Sequence, residues 1–129
     1  MVPEGLWYTR EHEWVKLEDK KATIGITDYA QQELGDVVFV DLPSVGERVE
    51  PGARLASVES VKAVSDVYAP VGGEILAVND DLEHSPEYLN QDPYGKGWIA
   101  VVEMEEEGPP VGLLSAREYE ELLAKLRED

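Results

Sequence analysis

One lysine in the chain stands where an exposed amine could carry a chemical group. Lys62 lies between two predicted strands, 55–60 and 64–69, and residues 61–63 between them predict a tight hairpin turn. An amine at a hairpin tip is accessible on a rigid base, and its aliphatic stem adds reach. Because a lysine amine is protonated in neutral water, amide formation there needs an enzyme that activates the acyl group. A lysine in a turn is usually a solvated charge, and Lys62 is one of six lysines in the chain, so the local pattern alone does not single it out.

The residues around Lys62 determine how an enzyme could recognise it. Ser60 and Ala63 are small, so they leave room for a modifying enzyme to bind around the turn. Glu59 offers a charge for recognition, and Val61 stands directly before the lysine. These neighbours and the lysine form one candidate modification site.

The two histidines raise the question of a metal or acid–base site. If the segment after Arg10 is a strand, Glu11 and Glu13 lie on the face opposite His12, so the three side chains do not converge on one metal. We expect His12 to pack or hydrogen-bond at the start of that strand. The acidic segment before His84 lacks calcium-loop spacing and is interpreted as a solvated loop. No metal site and no catalytic residue are therefore predicted.

The elements that position Lys62 are short strands separated by Gly and Pro turns. A short helix is predicted over 27–35, where Thr27 or Asp28 caps the start and Gly35 ends it. Residues 79–97 are interpreted as a polar loop. We expect a mainly β fold, a flattened barrel or sandwich of short antiparallel strands. Strands are predicted at 14–18, 22–26, 37–42, 55–60, 64–69, 74–78 and 98–103.

The last part of the chain predicts a connector and a second helix. Residues 105–114 are charged and rich in proline, and Ser115 with Glu118 forms a capping box that begins a helix over about 115–127. We expect one domain over 1–129, with a β core over about 10–104. The helix docks on that core through one apolar face, formed by Ala116, Tyr119, Leu122, Leu123 and Leu126.

Composition excludes several classes of function. The net charge of −17, from 28 acidic and 11 basic residues, disfavours nucleic acid and anionic membranes and favours partners with basic docking surfaces. No apolar run reaches the ~20 residues of a membrane helix. Cysteine is absent, which excludes thiolate metal sites and cysteine nucleophiles. The first residues, beginning at Met1, show no export or organelle signal, so we expect a bacterial cytoplasmic protein, and we expect a monomer.

The segment 59–63, Glu-Ser-Val-Lys-Ala, resembles the modification site of lipoyl domains. Lipoyl domains of 2-oxoacid dehydrogenases usually carry Asp directly before the modified lysine, and biotinyl domains flank it with methionines. Val61 and Ala63 depart from both patterns and are similar to the H-protein family of the glycine cleavage system. Further segments resemble that family in order along almost the whole chain, including 11–15, 23–27, 34–40, 49–52, 70–75 and 118–119.

This resemblance implies a lipoyl-domain hybrid fold and a carrier that is not itself an enzyme. Lipoate is implied as an amide on Lys62. A pyridoxal-phosphate glycine decarboxylase would load the arm with an aminomethyl group, and a tetrahydrofolate-dependent aminomethyltransferase would unload it. A flavin-containing dihydrolipoyl dehydrogenase would reoxidise the arm. A lipoate ligase, or a lipoyl or octanoyl transferase, would attach it.

The resemblance also points to carboxylates that neutralise the aminomethyl ammonium. Glu13 and Asp66 are the implied contacts, with Glu11 nearby, and a cleft there would keep water from a group prone to hydrolysis. The alternative is that these are ordinary surface acids in a very acidic chain.

Three other functions stay open from the sequence. The chain could relay its lipoyl group to other complexes, or it could be an acidic interaction module that is never modified. A biotin carrier is disfavoured by Val61 and Ala63.

Overall fold

The computed structural model describes residues 2–128, so Met1 and Asp129, which belong to the predicted domain, lie outside the described residues. The chain folds into two antiparallel sheets, neither of which closes into a barrel within 2–128. The strands are β1 (Trp7–Tyr8), β2 (Glu13–Glu18), β3 (Lys21–Ile26), β4 (Val37–Asp41), β5 (Arg48–Val49), β6 (Arg54–Ser60), β7 (Val64–Tyr68), β8 (Gly73–Val78) and β9 (Ala100–Glu103). The helices are α1 (Asp28–Leu34), α2 (Asp81–His84), α3 (Tyr88–Gln91) and α4 (Ala116–Glu128).

The two sheets enclose the main core, which confirms the sandwich expectation. One sheet has six strands in the order β1-β2-β3-β9-β8-β5, and the other has three in the order β4-β6-β7. The three-stranded sheet contributes Val40 of β4, Val58 of β6 and Val67 of β7 to this core. Among residues 2–128, no helix has the length and apolar character that crossing a bilayer requires.

Two short strands were not predicted. Both β1 and β5 contain only two residues, which is too short to show alternation. Since β1 pairs with β2, with Tyr8 opposite Trp14, the β core begins before residue 10. The strand pairing therefore extends to Trp7, a few residues before the predicted start at about residue 10.

The prediction of a polar loop over 79–97 was wrong. Two four-residue helices, α2 and α3, occupy part of it, and each buries one leucine completely, Leu82 and Leu89. A single helical turn shows no 3.6-residue repeat, so the pattern of polar residues dominated the interpretation. The amide of Asn79 also holds the segment by donating to the carbonyl oxygens of Lys96 and Trp98, both at 2.8 Å.

Both predicted helices are present, with the predicted caps. The Thr27 hydroxyl accepts from the Ala30 amide at the start of α1. Ser115 and Glu118 form a reciprocal capping box ahead of α4, with bonds of 2.9 and 3.2 Å. Leu126 does not dock as predicted, since it is 40% exposed and the buried contacts of α4 end at Leu123. The buried face of α4 forms a second apolar cluster with Tyr8, Trp14 and Leu114.

Candidate functional site

Lys62 lies at the tip of the hairpin that joins β6 to β7, as predicted. The register pairs Glu59 with Val64, and the Ser60 amide donates to the Ala63 carbonyl at 2.8 Å, so the loop closes tightly. Val61, Lys62 and Ala63 are all exposed. The structure therefore presents the lysine amine to solvent on a stiff two-stranded base.

The turn is held by the Ser60 side chain, which is buried beneath it. Its hydroxyl oxygen accepts from the backbone amides of Lys62 at 3.3 Å and Ala63 at 3.1 Å. It also lies 3.3 Å from the Ala63 carbonyl, to which it donates. Ser60 therefore shapes the turn, a role that the sequence interpretation did not include.

The segment after α1 supports the hairpin from the side. The Val61 amide donates to the Asp36 carbonyl at 3.0 Å. Gly35 has a φ of 79°, and a Cβ added there would lie 3.4 Å from Cε of Lys62. The aliphatic stem of Lys62 thus runs directly past Gly35, where the left-handed backbone would strain any larger residue.

Asn90 of α3 fixes that supporting segment, and sequence reasoning missed it. Its side-chain amide donates to the Gly35 carbonyl at 2.8 Å and to Oε1 of Gln31 at 3.0 Å. Its Oδ1 accepts from the Val37 amide at 2.9 Å. No local pattern around Asn90 signals this role, because every partner is more than fifty residues away in the chain.

A cleft of about 320 Å³ opens beside the hairpin; we call it the arm cleft. Apolar residues of β3, β6, β7 and α1 line much of it. These apolar residues are Ile26, Ala30, Leu34, Val58, Val64 and Val67. Four acids also line it, Glu11, Glu13, Glu33 and Asp66, of which only Glu33 was not singled out from the sequence. The arm cleft therefore combines an apolar lining with a strong negative charge.

Glu13 is the buried acid of the arm cleft. It is 2% exposed, which excludes the interpretation of Glu13 as an ordinary surface acid. Its Oε1 accepts from the Thr9 hydroxyl at 2.6 Å and its Oε2 accepts from the Tyr68 amide at 3.0 Å. Burial raises the pKa of Glu13 above its ordinary value, and the bonds from Thr9 and Tyr68 only partly oppose this.

Asp66 reaches the arm cleft from its rim. Its side chain is 45% exposed, and its Oδ1 lies 3.3 Å from Nε of Arg54. The same guanidinium pairs with Asp41 at 2.8 Å, so one cation is shared between two acids. Asp66 thus contributes a charge that is only partly neutralised.

The strand assumed for Glu11 and His12 does not exist. His12 has a φ of 72°, and β2 begins only at Glu13, so all three residues line the arm cleft instead of alternating between faces. Even so, no cluster of three metal-ligating side chains occurs among residues 2–128. The prediction that His12 packs and hydrogen-bonds is confirmed, since Nδ1 lies 2.8 Å from the Tyr119 hydroxyl and the ring packs on Tyr29. Burial lowers the pKa of His12.

A β-sandwich that presents an exposed lysine on a tight hairpin beside an acidic cleft has the features of a lipoyl-domain carrier. The family model for glycine cleavage H-protein matches residues 6–126. The chain therefore belongs to the glycine cleavage H-protein family.

Similar proteins of known family support this membership. The glycine cleavage system H protein of Coprothermobacter proteolyticus is 55% identical over 125 residues, covering 96% of this chain and 98% of that relative. The one from Oceanobacillus iheyensis is 56% identical, covering 92% and 94%. The crystal structure of a glycine cleavage system H protein from Mycobacterium marinum is 40% identical with a TM-score of 0.87, covering 95% of this chain and 99% of that one.

Membership defines the role of the chain. It is a non-catalytic, lipoyl-carrying subunit that passes the aminomethyl group of glycine from the decarboxylase to the aminomethyltransferase. The family carries lipoate covalently attached to a lysine. This role replaces the biotin carrier and the unmodified interaction module as interpretations of the sequence.

Proposed function

We propose that Lys62 is the lysine that carries the lipoyl group, and that the arm cleft holds the arm once it is loaded. The observation that supports this most directly is the place of Lys62, exposed at the hairpin tip with the arm cleft alongside. Ala63 and Val64, the next residues along the chain, line that cleft. An arm attached to Lys62 therefore starts at the mouth of the cleft.

The residues of the arm cleft fit the charge and polarity of a loaded arm. When bound, the lipoyl group supplies the disulfide whose sulfur accepts the aminomethyl group and is thereby reduced. The apolar lining suits a hydrocarbon chain and keeps water away, while carboxylates suit a protonated amine.

Glu13 is the carboxylate that we assign to the ammonium group. Thr9 and Tyr68 hold both of its oxygens in place, so it is oriented before any cation arrives. Its raised pKa reflects poor solvation of the anion by its surroundings. A cation in the arm cleft would offset that cost, so binding and ionisation of Glu13 favour each other. Asp66, Glu11 and Glu33 add negative charge around it.

We assign three further properties to the protein on the same basis. Dihydrolipoyl dehydrogenase would reoxidise the arm, and a lipoate ligase or a lipoyl or octanoyl transferase would attach it. A bacterial cytoplasmic location is supported by the bacterial sources of the relatives. The whole chain, 1–129, would act as one monomeric carrier domain.

The attachment site is tested by replacing the lysine. Lys62→Arg keeps the charge but offers no amine to acylate, and Lys96→Arg is the matched control. Intact mass and peptide mapping should show a lipoyl group on wild type and on Lys96→Arg, and none on Lys62→Arg, which should not support glycine decarboxylation. A lipoyl group on any other residue would refute the assignment.

The role of the arm cleft is tested by the lifetime of the loaded form. The double variant Glu13→Gln, Asp66→Asn should be lipoylated normally but should lose its aminomethyl group about tenfold faster to hydrolysis, because charge-assisted bonds are lost. Asp41→Asn is the control, since it removes the other partner of Arg54 and lies outside the cleft. An unchanged rate of hydrolysis in the double variant would refute the role of these carboxylates.

A further inference from the structure

A second cavity shares a wall with the arm cleft. It has a volume of about 290 Å³ and lies between α4, the start of α1 and the segment before β9. Three tyrosines line it, Tyr29, Tyr94 and Tyr119, and we call it the tyrosine cavity. Because Tyr29 also lines the arm cleft, this side chain separates the two spaces.

Charges of both signs line the tyrosine cavity without pairing. Asp28, the first residue of α1, and Glu120 of α4 supply two carboxylates, and Arg127 of α4 supplies a guanidinium. Among the side chains that the structure describes, over 2–127, Arg127 forms no salt bridge with these or any other acids. The cavity therefore holds a cation and two anions that do not neutralise one another directly.

Asp28 is held in place by neutral donors. Its Oδ1 accepts from the Gln31 side chain at 2.9 Å and its Oδ2 accepts from the Gln32 side chain at 2.7 Å. Its backbone amide donates to the Tyr94 hydroxyl at 3.0 Å, which ties α1 to the opposite wall of the cavity. These bonds orient the carboxylate and leave its charge in place, and each oxygen can still accept a further donor.

The charges of opposite sign act on different tyrosines of the cavity. Burial raises the pKa of both Tyr94 and Tyr119. The Asp28 carboxylate raises the pKa of Tyr94 further, whereas the Arg127 guanidinium lowers that of Tyr119. The negative charge of Asp28 is therefore felt at Tyr94, and the positive charge of Arg127 at Tyr119.

We propose that the tyrosine cavity binds a small α-amino acid in its zwitterionic form. The planar guanidinium of Arg127 matches the two oxygens of the ligand carboxylate. Asp28 and Glu120 accept from the ligand ammonium group, which the faces of the tyrosine rings also attract. Leu123 and Ala124 supply an apolar wall. A volume of about 290 Å³ is near the lower limit of ligand sites, roughly 300 Å³, which selects a small ligand.

A ligand with a single charge would fit this lining less well. An anion at Arg127 is repelled by the carboxylates of Asp28 and Glu120, and a cation between those acids is repelled by the guanidinium. A zwitterion meets both signs at once and has no net charge, so the protein charge of −17 does not oppose its entry. The inference does not depend on which lysine carries the lipoyl group.

Binding is tested by isothermal titration calorimetry of the full-length lipoylated chain. We expect one glycine, and likewise one L-alanine, to bind per chain. Acetate and methylammonium each carry one of the two charges and should bind at least about tenfold more weakly. Absence of glycine binding, or equal binding of either singly charged probe, would refute the site.

Variants on α4 locate the ligand. Arg127→Met and Glu120→Gln should each weaken glycine binding about tenfold, because a charge-assisted bond is lost. Lys125→Met and Glu121→Gln make the same charge changes on the same helix outside the cavity, and they should have no effect. Ala124→Leu should also weaken binding, since it fills the cavity with a good helix former and alters no charge. If Arg127→Met binds glycine as tightly as Lys125→Met, the proposal is wrong.

A second measurement needs no variant, because the chain contains only two histidines. The His12 ring packs on Tyr29 with centroids 4.5 Å apart, and its Nδ1 lies 2.8 Å from the Tyr119 hydroxyl. His84 lies in α2 and does not line the cavity. At constant pH, saturating glycine should shift the imidazole proton resonances of His12 and leave those of His84 in place. A spectrum in which His12 does not shift would place glycine elsewhere and overturn the inference.

Discussion

The hydroxyl of Tyr119 lies 2.8 Å from Nδ1 of His12, so the C-terminal helix is hydrogen-bonded to a residue that lines the arm cleft. The same hydroxyl lies 2.7 Å from Oγ1 of Thr27, which caps α1, another wall of the cleft. The Tyr119 ring is buried and stacks on Tyr8, with centroids 4.7 Å apart. One side chain of α4 therefore positions two separate parts of the arm cleft.

Tyr119→Phe should destabilise the protein and loosen the arm cleft. The ring stack on Tyr8 is kept, but His12 and Thr27 lose a buried partner, so the free energy of unfolding should fall by about 1–2 kcal/mol. Urea denaturation measures this, and the loaded form should also lose its aminomethyl group faster. Tyr68→Phe, which replaces a partly exposed tyrosine on β7, should change neither quantity. Equal stability of the two variants would contradict the role of the Tyr119 hydroxyl.

His12 should make the stability of the protein depend on pH. Burial lowers the pKa of His12 below its value of about 6.5 in an unfolded chain, against the opposing effect of Glu11 and Glu33. Between the two values the unfolded state binds more protons, so the stability that His12 contributes is lost as pH falls below about 6.5.

The reference variant for this effect is His12→Asn. Asparagine tolerates the left-handed backbone at this position, and its side chain does not titrate. The difference in unfolding free energy, wild type minus His12→Asn, should decrease from about pH 7.5 to about pH 5. A difference that does not vary with pH would exclude this role of His12.

Glu13 should make the stability of the protein depend on pH in the direction opposite to His12. Burial raises the pKa of Glu13 above its unfolded value of about 4.3, so between these values the folded state binds more protons. Wild type should therefore gain stability relative to Glu13→Gln as pH falls from neutral through the raised pKa, and the gain should end below about 4.3. Thermal unfolding at a series of pH values measures this. If the proposed contact between Glu13 and the ammonium group of the loaded arm forms, the gain should be smaller in the loaded form.

Ser60→Ala should loosen the turn that presents Lys62. The variant removes one oxygen that bonds to the amides of Lys62 and Ala63, at a cost of about 1–2 kcal/mol in unfolding free energy. The rate of lipoylation should fall as the turn becomes less ordered. Ser57→Ala is the control and should have little effect, because Ser57 lies three positions earlier on β6, where it pairs with Asp41 and Asp66 and not with the turn. Normal lipoylation of Ser60→Ala would mean that the hairpin strands alone order the turn.

Local interactions explain which features the sequence predicted correctly. The hairpin that carries Lys62 depends on two adjacent short strands and a three-residue turn, all within about fifteen residues. The cap of α1 by Thr27 and the capping box at Ser115 and Glu118 join residues three apart. Interactions of such short range can be recognised from spacing alone.

The same reasoning failed where an element was too short to show a pattern. The sequence predicts a strand that includes Glu11 and His12, but the left-handed backbone at His12 turns the chain just before β2 begins at Glu13. Leu82 and Leu89 lie in helices of a single turn, so their complete burial could not be seen among the polar residues around them.

The sequence by itself determined that Lys62 stands at a hairpin tip and that its neighbours resemble a lipoyl attachment site. Only the tertiary structure decided what surrounds that lysine. Glu13 is buried and oriented by a bond from Tyr68, 55 residues away, and His12 is held by Tyr119, 107 residues away. Spacing along the chain does not indicate such pairs, because their members meet only when the two sheets and the C-terminal helix pack together. A hairpin tip is formed by neighbours in sequence, whereas a cleft is formed by the packing of separate elements.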